Sequence, residues 1–144
     1  MWFDDAVHHH AALMPDRLWW VSPGQTALPV EGVPQGPGEA PWQGALAAFG
    51  ERLRALGGRK GSLDLRLGAA LVRWQRMDWP DHVRSPDELD AAVRLSLRNV
   101  HGNAVAAWQV MHTGDSPGEP LLVAAVDADL SRRVRAELAR VGWR

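Results

Sequence analysis

Three consecutive histidines, His8 to His10, are the densest run of metal-type ligands in the sequence. Imidazoles hold Zn²⁺ and related ions when several converge, and helical metal sites space them at i and i+4. The surrounding "FDDAVHHHAALM" sets Phe3, Val7, Ala11 and Met14 at helical spacing, which predicts a short N-terminal helix. On a helix, three adjacent side chains point in three directions. The run therefore reads as a solvated histidine cluster, and no metal is expected. His82, His101 and His112 are dispersed and carry no ligand spacing. A cleft joining His101 or His112 to Asp127 would point to an enzyme.

The carboxylates gather at predicted helix starts: Asp4–Asp5, Asp87–Glu88–Asp90 and Asp127–Asp129. The positive end of the helix dipole explains them without catalysis. Asp127 follows an apolar strand, a place where α/β enzymes put functional groups. A helical stripe follows at once, so a helix cap is the favoured reading. No GxxxxGK[ST] or GxGxxG occurs. "GERLRALGGRKG" places its glycines after a helix, whereas a phosphate loop opens one. Two basic clusters, Arg52/Arg54/Arg59/Lys60 and Arg132/Arg133/Arg135/Arg140, are interspersed with acids in a chain of net charge −1. They read as solvated helix faces and give no footprint for nucleic acid.

Tryptophan is the unusual residue: there are eight, with no Tyr and no Cys. In "LVRWQRMDWP", Trp74 and Trp79 are five positions apart, so a regular strand puts them on opposite faces, one toward the core. Trp and Arg are enriched at binding hot spots. Trp74, Trp79 and Leu89 are therefore the candidate partner-binding residues. Without cysteine there is no disulfide framework and no thiolate chemistry.

The elements that must position these residues follow from periodicity. "RLWWVS" and "TALPVEG" read as strands around a Ser-Pro-Gly turn. A Pro/Gly-rich loop at 32–41 precedes a helix with Leu46, Phe49, Leu53 and Leu56 on one face, stopped at Gly57–Gly58. "SLDLRL" alternates as a half-buried strand, and "AALVRWQRMDWP" is a second strand ended by Pro80. "SPDEL" starts a helix: Ser85 caps, Pro86 takes the first position and Glu88 closes a capping box. Its stripe is Leu89, Val93, Leu97 and Val100, with Gly102 as the stop. "AVAAWQVMH" is a strand, "DSPGEP" a turn, and "LLVAAV" a continuous apolar strand expected to be covered on both faces. The last helix carries Leu130, Val134, Leu138 and Val141, with Gly142 after it. The order is α-ββ-α-ββ-α-ββ-α, a mixed α/β fold. At 144 residues the chain fits one domain. Its longest strongly apolar run falls far short of the ~20 residues of a membrane helix. The acidic N-terminus lacks a secretory apolar core, so a cytoplasmic location is expected.

From Leu63 onward the sequence resembles the first half of actin-like proteins of the PilM type, which assemble type IV pili, and the GspL type of type II secretion. The resemblance runs through "LDLRLGAALVRWQRMDWP", "SPDELDAAVRLSLRNVHG", "AVAAWQV" and "PLLVAAVDADLSRRVRAELARVGWR", over about residues 43–144. It implies an RNase-H-like, actin-like half-domain over 1–144, a mixed sheet flanked by helices, with a small αβ subdomain inserted at about 69–112. The family's opening hairpin carries an Asp and small residues facing nucleotide phosphates. "LWWVSPGQTALPV" has no acid and holds two Trp and Pro23, so it reads as a turn. The sequence also ends where the family's second half would begin. The implied function is a non-catalytic cytoplasmic scaffold or adaptor, peripheral to the inner membrane and without cofactor. Its implied partner is a bitopic membrane protein's cytoplasmic tail or another assembly subunit, with a homodimer as a further arrangement. The alternative is a small enzyme or nucleotide-binding protein whose site is completed by oligomerisation.

Overall fold

The computed structural model describes residues 7–31, 36–57, 61–113 and 117–143. Phe3, Asp4–Asp5, Gly58–Lys60 and residues 115–116 of the predicted "DSPGEP" turn lie outside them. The chain divides into two compact units, one formed by Met1–Leu71 with Arg132–Arg144, the other by Val72–Ser131.

The first unit is built on a mixed four-stranded sheet in the order β3-β2-β1-β4. Its strands are β1 (Val7–Leu13), β2 (Arg17–Val21), β3 (Leu28–Glu31) and β4 (Gly61–Leu67). β1 pairs antiparallel with β2 and parallel with β4, where His10 stands opposite Asp64. The helix α1 (Gln43–Ala55) supplies the crossover that parallel pairing requires. The inner face of the sheet buries Ala11, Leu13, Leu18 and Trp20, and α1 contributes Leu46, Phe49 and Leu53, all 8% exposed or less. The Trp20 and Phe49 rings lie 6.3 Å apart. The Ser-Pro-Gly turn between β2 and β3 closes with Gln25 N–H on the Ser22 carbonyl, as the hairpin reading expects.

The predicted N-terminal helix is not formed. Val7–Leu13 is strand β1, because its seven positions pair in register with Gly61–Leu67. Helix propensity is a weak prior, and this long-range ladder overrides it. The histidines consequently alternate: His9 is buried on the inner face, while His8 and His10 share the outer one.

The second unit is an antiparallel sheet in the order β5-β7-β6, from β5 (Val72–Met77), β6 (Trp108–His112) and β7 (Leu121–Asp127). Helix α2 (Pro86–His101) covers one face. Its Leu89, Val93 and Leu97 join Val83, Val105, Leu121, Val123 and Ala125 in one core, with Met77, Trp79, Trp108 and Val110 packed against it. Gln75 Nε2 also donates to Ser96 Oγ at 2.7 Å. The start of α2 is as expected at Ser85, whose Oγ accepts the Glu88 N–H at 3.3 Å. The reciprocal bond is shifted by one residue, since the Glu88 carboxylate takes the Arg84 N–H at 2.6 Å.

Three expectations for this unit are corrected. Val100 is 66% exposed, so the stripe ends at Leu97. Gly102–Ala107 forms a 3₁₀ segment, and the strand begins only at Trp108. "LLVAAV" is the central strand of an antiparallel sheet and is covered on its second face only in part: Leu121, Val123 and Ala125 are fully buried on one face, while on the other Val126 is buried and Leu122 is 45% exposed.

Helix α3 (Ala128–Arg140) follows β7, and the Asp127 carboxylate accepts the Asp129 N–H at 2.8 Å. At its other end Gly142 has φ +71°. There Trp143 N–H bonds to Leu138 O and Gly142 N–H to Ala139 O, the paired bonds of a Schellman ending. This turn delivers Trp143, 6% exposed, onto His9, the two rings 5.2 Å apart and stacked at 28°.

Candidate functional site

A cavity of about 540 Å³ in the second unit lies where α2 begins. Proline at the first helical position and the Ser85 cap fix the start of the helix. That places Pro86, Leu89 and Asp90 along one wall, with Trp79 and Val83 before them and His112 of β6 opposite. His112 Nε2 lies 2.8 Å from Asp90 Oδ1, and the His112 side chain is 19% exposed. Among the described residues its buried Nδ1 has no hydrogen-bond partner.

A carboxylate–imidazole pair of this kind orients a base. Acyl transfer would also need a nucleophile on the second ring nitrogen. Ser85 lines the same cavity, but its Oγ serves the Glu88 N–H. What the cavity offers is an apolar wall of Trp79, Val83, Pro86 and Leu89 with one carboxylate–imidazole hydrogen bond at its side.

The candidate residues divide between two places. Trp79 and Leu89 share this cavity; Leu89 is 4% exposed and is also part of the core. Trp74 stands on the other face of the sheet, 58% exposed, so the two tryptophans do occupy opposite faces. On that outer face Trp74 is opposite Ala124, and Ala124 opposite Met111. Met111 is 53% exposed, and Leu122, beside Arg76, 45%. Sequence reasoning missed Met111 and Leu122. Period-2 parity with Trp74 across the ladder would have found them once the register was known.

The other candidates are placed as follows. His112 and Asp127 stand at opposite ends of the β6–β7 ladder, opposite Val123 and Trp108. That separates them by roughly 13 Å at the rise of a strand. The His101 ring meets Trp108 at 5.1 Å. His8 Nδ1 is 2.6 Å from Ser62 Oγ, and His10 Nδ1 is 3.6 Å from Asp64. Among the described residues no group of three or more His, Asp or Glu side chains could hold a metal ion. Burial first, then the neighbouring Arg52 guanidinium and the adjacent His8 and His10 side chains, hold the His9 pKa below its ordinary value. Arginines of both basic clusters are engaged within the first unit. Arg54 and Arg140 reach Glu137 at 3.5 and 2.8 Å, and Arg133 lies over the Trp42 ring at 5.6 Å. Among the described residues no helix is long and apolar enough to cross a membrane.

No protein-family model matches the chain, and no curated protein matches it. Among solved structures it is similar to the cytoplasmic domain of EpsL, an inner membrane component of the type II secretion system of Vibrio cholerae. The TM-score is 0.62 at 12% identity, over 96% of this chain and 54% of that one. The chain thus spans about half the length of that structure. At this identity the likeness is one of fold.

Proposed function

We propose that the chain is a non-catalytic docking module of an inner-membrane assembly of the type II secretion or type IV pilus kind. In this reading residues 1–144 form one actin-like half-domain with an inserted subdomain at about 69–112. The fold likeness to the EpsL cytoplasmic domain supports the class. The observation that carries the function is the outer face of the β5-β7-β6 sheet. Trp74, Met111 and Leu122 are each 45% exposed or more on adjoining strands. Clustered apolar surface on a soluble fold marks an interaction site, and a Trp beside an Arg is the composition of a hot spot. The partner is a protein segment, the cytoplasmic tail of a bitopic membrane protein or another subunit, with an apolar stripe to cover the three side chains. The groove at Trp79 and Leu89 is a second contact for the same partner.

The test is capture by cytoplasmic tails of bitopic pilus and secretion proteins from the same genome, alongside sedimentation velocity. The intact chain should bind one tail or self-associate, and Trp74→Ser should lose that association while keeping its circular dichroism. A monomer that captures no tail, or a Trp74→Ser variant that associates unchanged, overturns the proposal.

A further inference from the structure

The first unit leaves one long sheet edge open. In the order β3-β2-β1-β4 the edge strands are β3 and β4. β3 has four residues and contains Pro29; shortness and proline both keep an edge from pairing. β4 has seven residues, all in register with β1, with no Pro, no Lys and no bulge. Among the described residues no strand pairs with its other side. The alternation of the strand shows which backbone groups line that side. At the end of the parallel ladder the Gly68 N–H donates to the Leu13 carbonyl at 2.8 Å. Successive residues of a strand turn their N–H and C=O to opposite sides, so Ser62, Asp64 and Arg66 bond to β1. The N–H and C=O groups of Leu63, Leu65 and Leu67 point to the open edge.

The side chains select the occupant. Leu63, Leu65 and Leu67 share the inner face with His9, Ala11 and Leu13 of β1, yet they are only half-buried where those three are buried. Asp64 and Arg66 stand on the outer face, 45% and 79% exposed and of opposite sign. We propose that this edge pairs with β4 of a second copy of the chain, antiparallel and centred on Leu65. In that register Leu65 stands opposite the partner's Leu65, and Leu63 opposite the partner's Leu67. These are the hydrogen-bonded pairs that the outward backbone groups require. Asp64 then faces the partner's Arg66, and Arg66 the partner's Asp64, in the closer non-hydrogen-bonded pairs. The charges fix the register. Moving the centre to Asp64 or to Arg66 keeps backbone bonding but sets two aspartates or two arginines directly opposite each other. The pairing is isologous, so it closes as a dimer, with two four-stranded sheets joined into one of eight strands. β4 shares no residue with the Trp74 face. Trp74→Ser should therefore leave this dimer and remove only tail capture or larger species, and Asp64→Arg is the background in which the Trp74 face is tested alone.

The test is sedimentation equilibrium of the full chain and of charge-reversed variants. The intact chain should dimerise with a dissociation constant of about 100 μM or tighter. Asp64→Arg and Arg66→Asp each set like charges opposite one another twice per dimer, and each should weaken it about tenfold or more. Mixed in equal amounts, the two variants should recover the affinity of the intact chain, because each strand again meets its opposite charge. Hydrogen exchange on the intact chain locates the contact without any substitution. The Leu63, Leu65 and Leu67 amides should gain protection as concentration rises, while those of Asp64 and Arg66, bonded to β1, stay protected throughout. A chain that is monomeric at about 1 mM, single variants that dimerise as tightly as the intact chain, a mixture that stays as weak as its components, or outward amides that exchange alike at low and high concentration overturns the proposal.

Discussion

Trp79 and Trp74 differ by five positions in sequence and by the side of the sheet they occupy, so truncating each should give opposite results. Trp79 packs on the core that contains Val83, Leu89, Val93 and Leu97, and one side of it borders the 540 Å³ cavity. Truncating a fully buried Trp costs about 3–5 kcal/mol. Trp79 is half-buried and already adjoins empty space, so Trp79→Ala should cost about 2 kcal/mol. Trp74 is 58% exposed, and Trp74→Ala should stay within about 0.5 kcal/mol, the range of ordinary surface substitutions. With a urea dependence of about 1–3 kcal/mol per molar, the first change lowers the midpoint by about 0.7–2 M and the second by no more than about a quarter of that. Far-UV circular dichroism is the proper readout, because removing an indole alters fluorescence by itself. A Trp74→Ala midpoint as low as that of Trp79→Ala would refute the reasoning. It would show that the outer face of the sheet is packed and unavailable to a partner.

Ser85→Ala removes a 3.3 Å cap bond and should cost about 0.5–1 kcal/mol, while Ser85→Asp retains a cap and most of the stability; urea denaturation of the three proteins compares them. The lowered pKa of His9 means that the unfolded chain binds its proton more readily than the folded one. Its contribution is fully present above the unfolded value of 6.5 and is lost as pH falls through the folded value. The difference in stability between the intact chain and His9→Phe, followed from pH 7.5 to pH 5, should therefore shrink on acidification; a pH-independent difference contradicts the burial argument. Calorimetry with millimolar ATP and Mg²⁺ should show no saturable heat, and micromolar affinity would revive the nucleotide-binding alternative.

Local chemistry was legible wherever the structure is local. The α1 stripe of Leu46, Phe49 and Leu53, the Ser85 and Asp127 caps and the β2–β3 hairpin each follow from neighbouring residues alone. Failures came where a distant segment decides. "FDDAVHHHAALM" reads as helix on the spacing of Phe3, Val7, Ala11 and Met14, and only the parallel ladder with Gly61–Leu67 makes Val7–Leu13 a strand. The cavity at Trp79 and Leu89 was partly legible, since both were named, but its His112–Asp90 pair joins residues from β6 and α2 that no spacing connects. The exposed row from Trp74 to Met111 depends on cross-strand register, which sequence parity does not supply.

The stack of Trp143 on His9 joins the last described residue to the first strand, nearly the full length of the chain away. The second unit is one continuous stretch of sequence, whereas the first is made of two. During synthesis the second unit has every residue it needs before the first does. Until Arg132 and the residues after it emerge, the ring of His9 lacks its stacking partner, and the apolar surface around it stays open to water or to a chaperone. Loop-closure entropy grows only slowly with length, so this delay costs little in final stability. Its effect falls on the order of events: a nascent chain with a finished second unit and an unfinished first one, exposed to aggregation for as long as translation of the C-terminal segment takes.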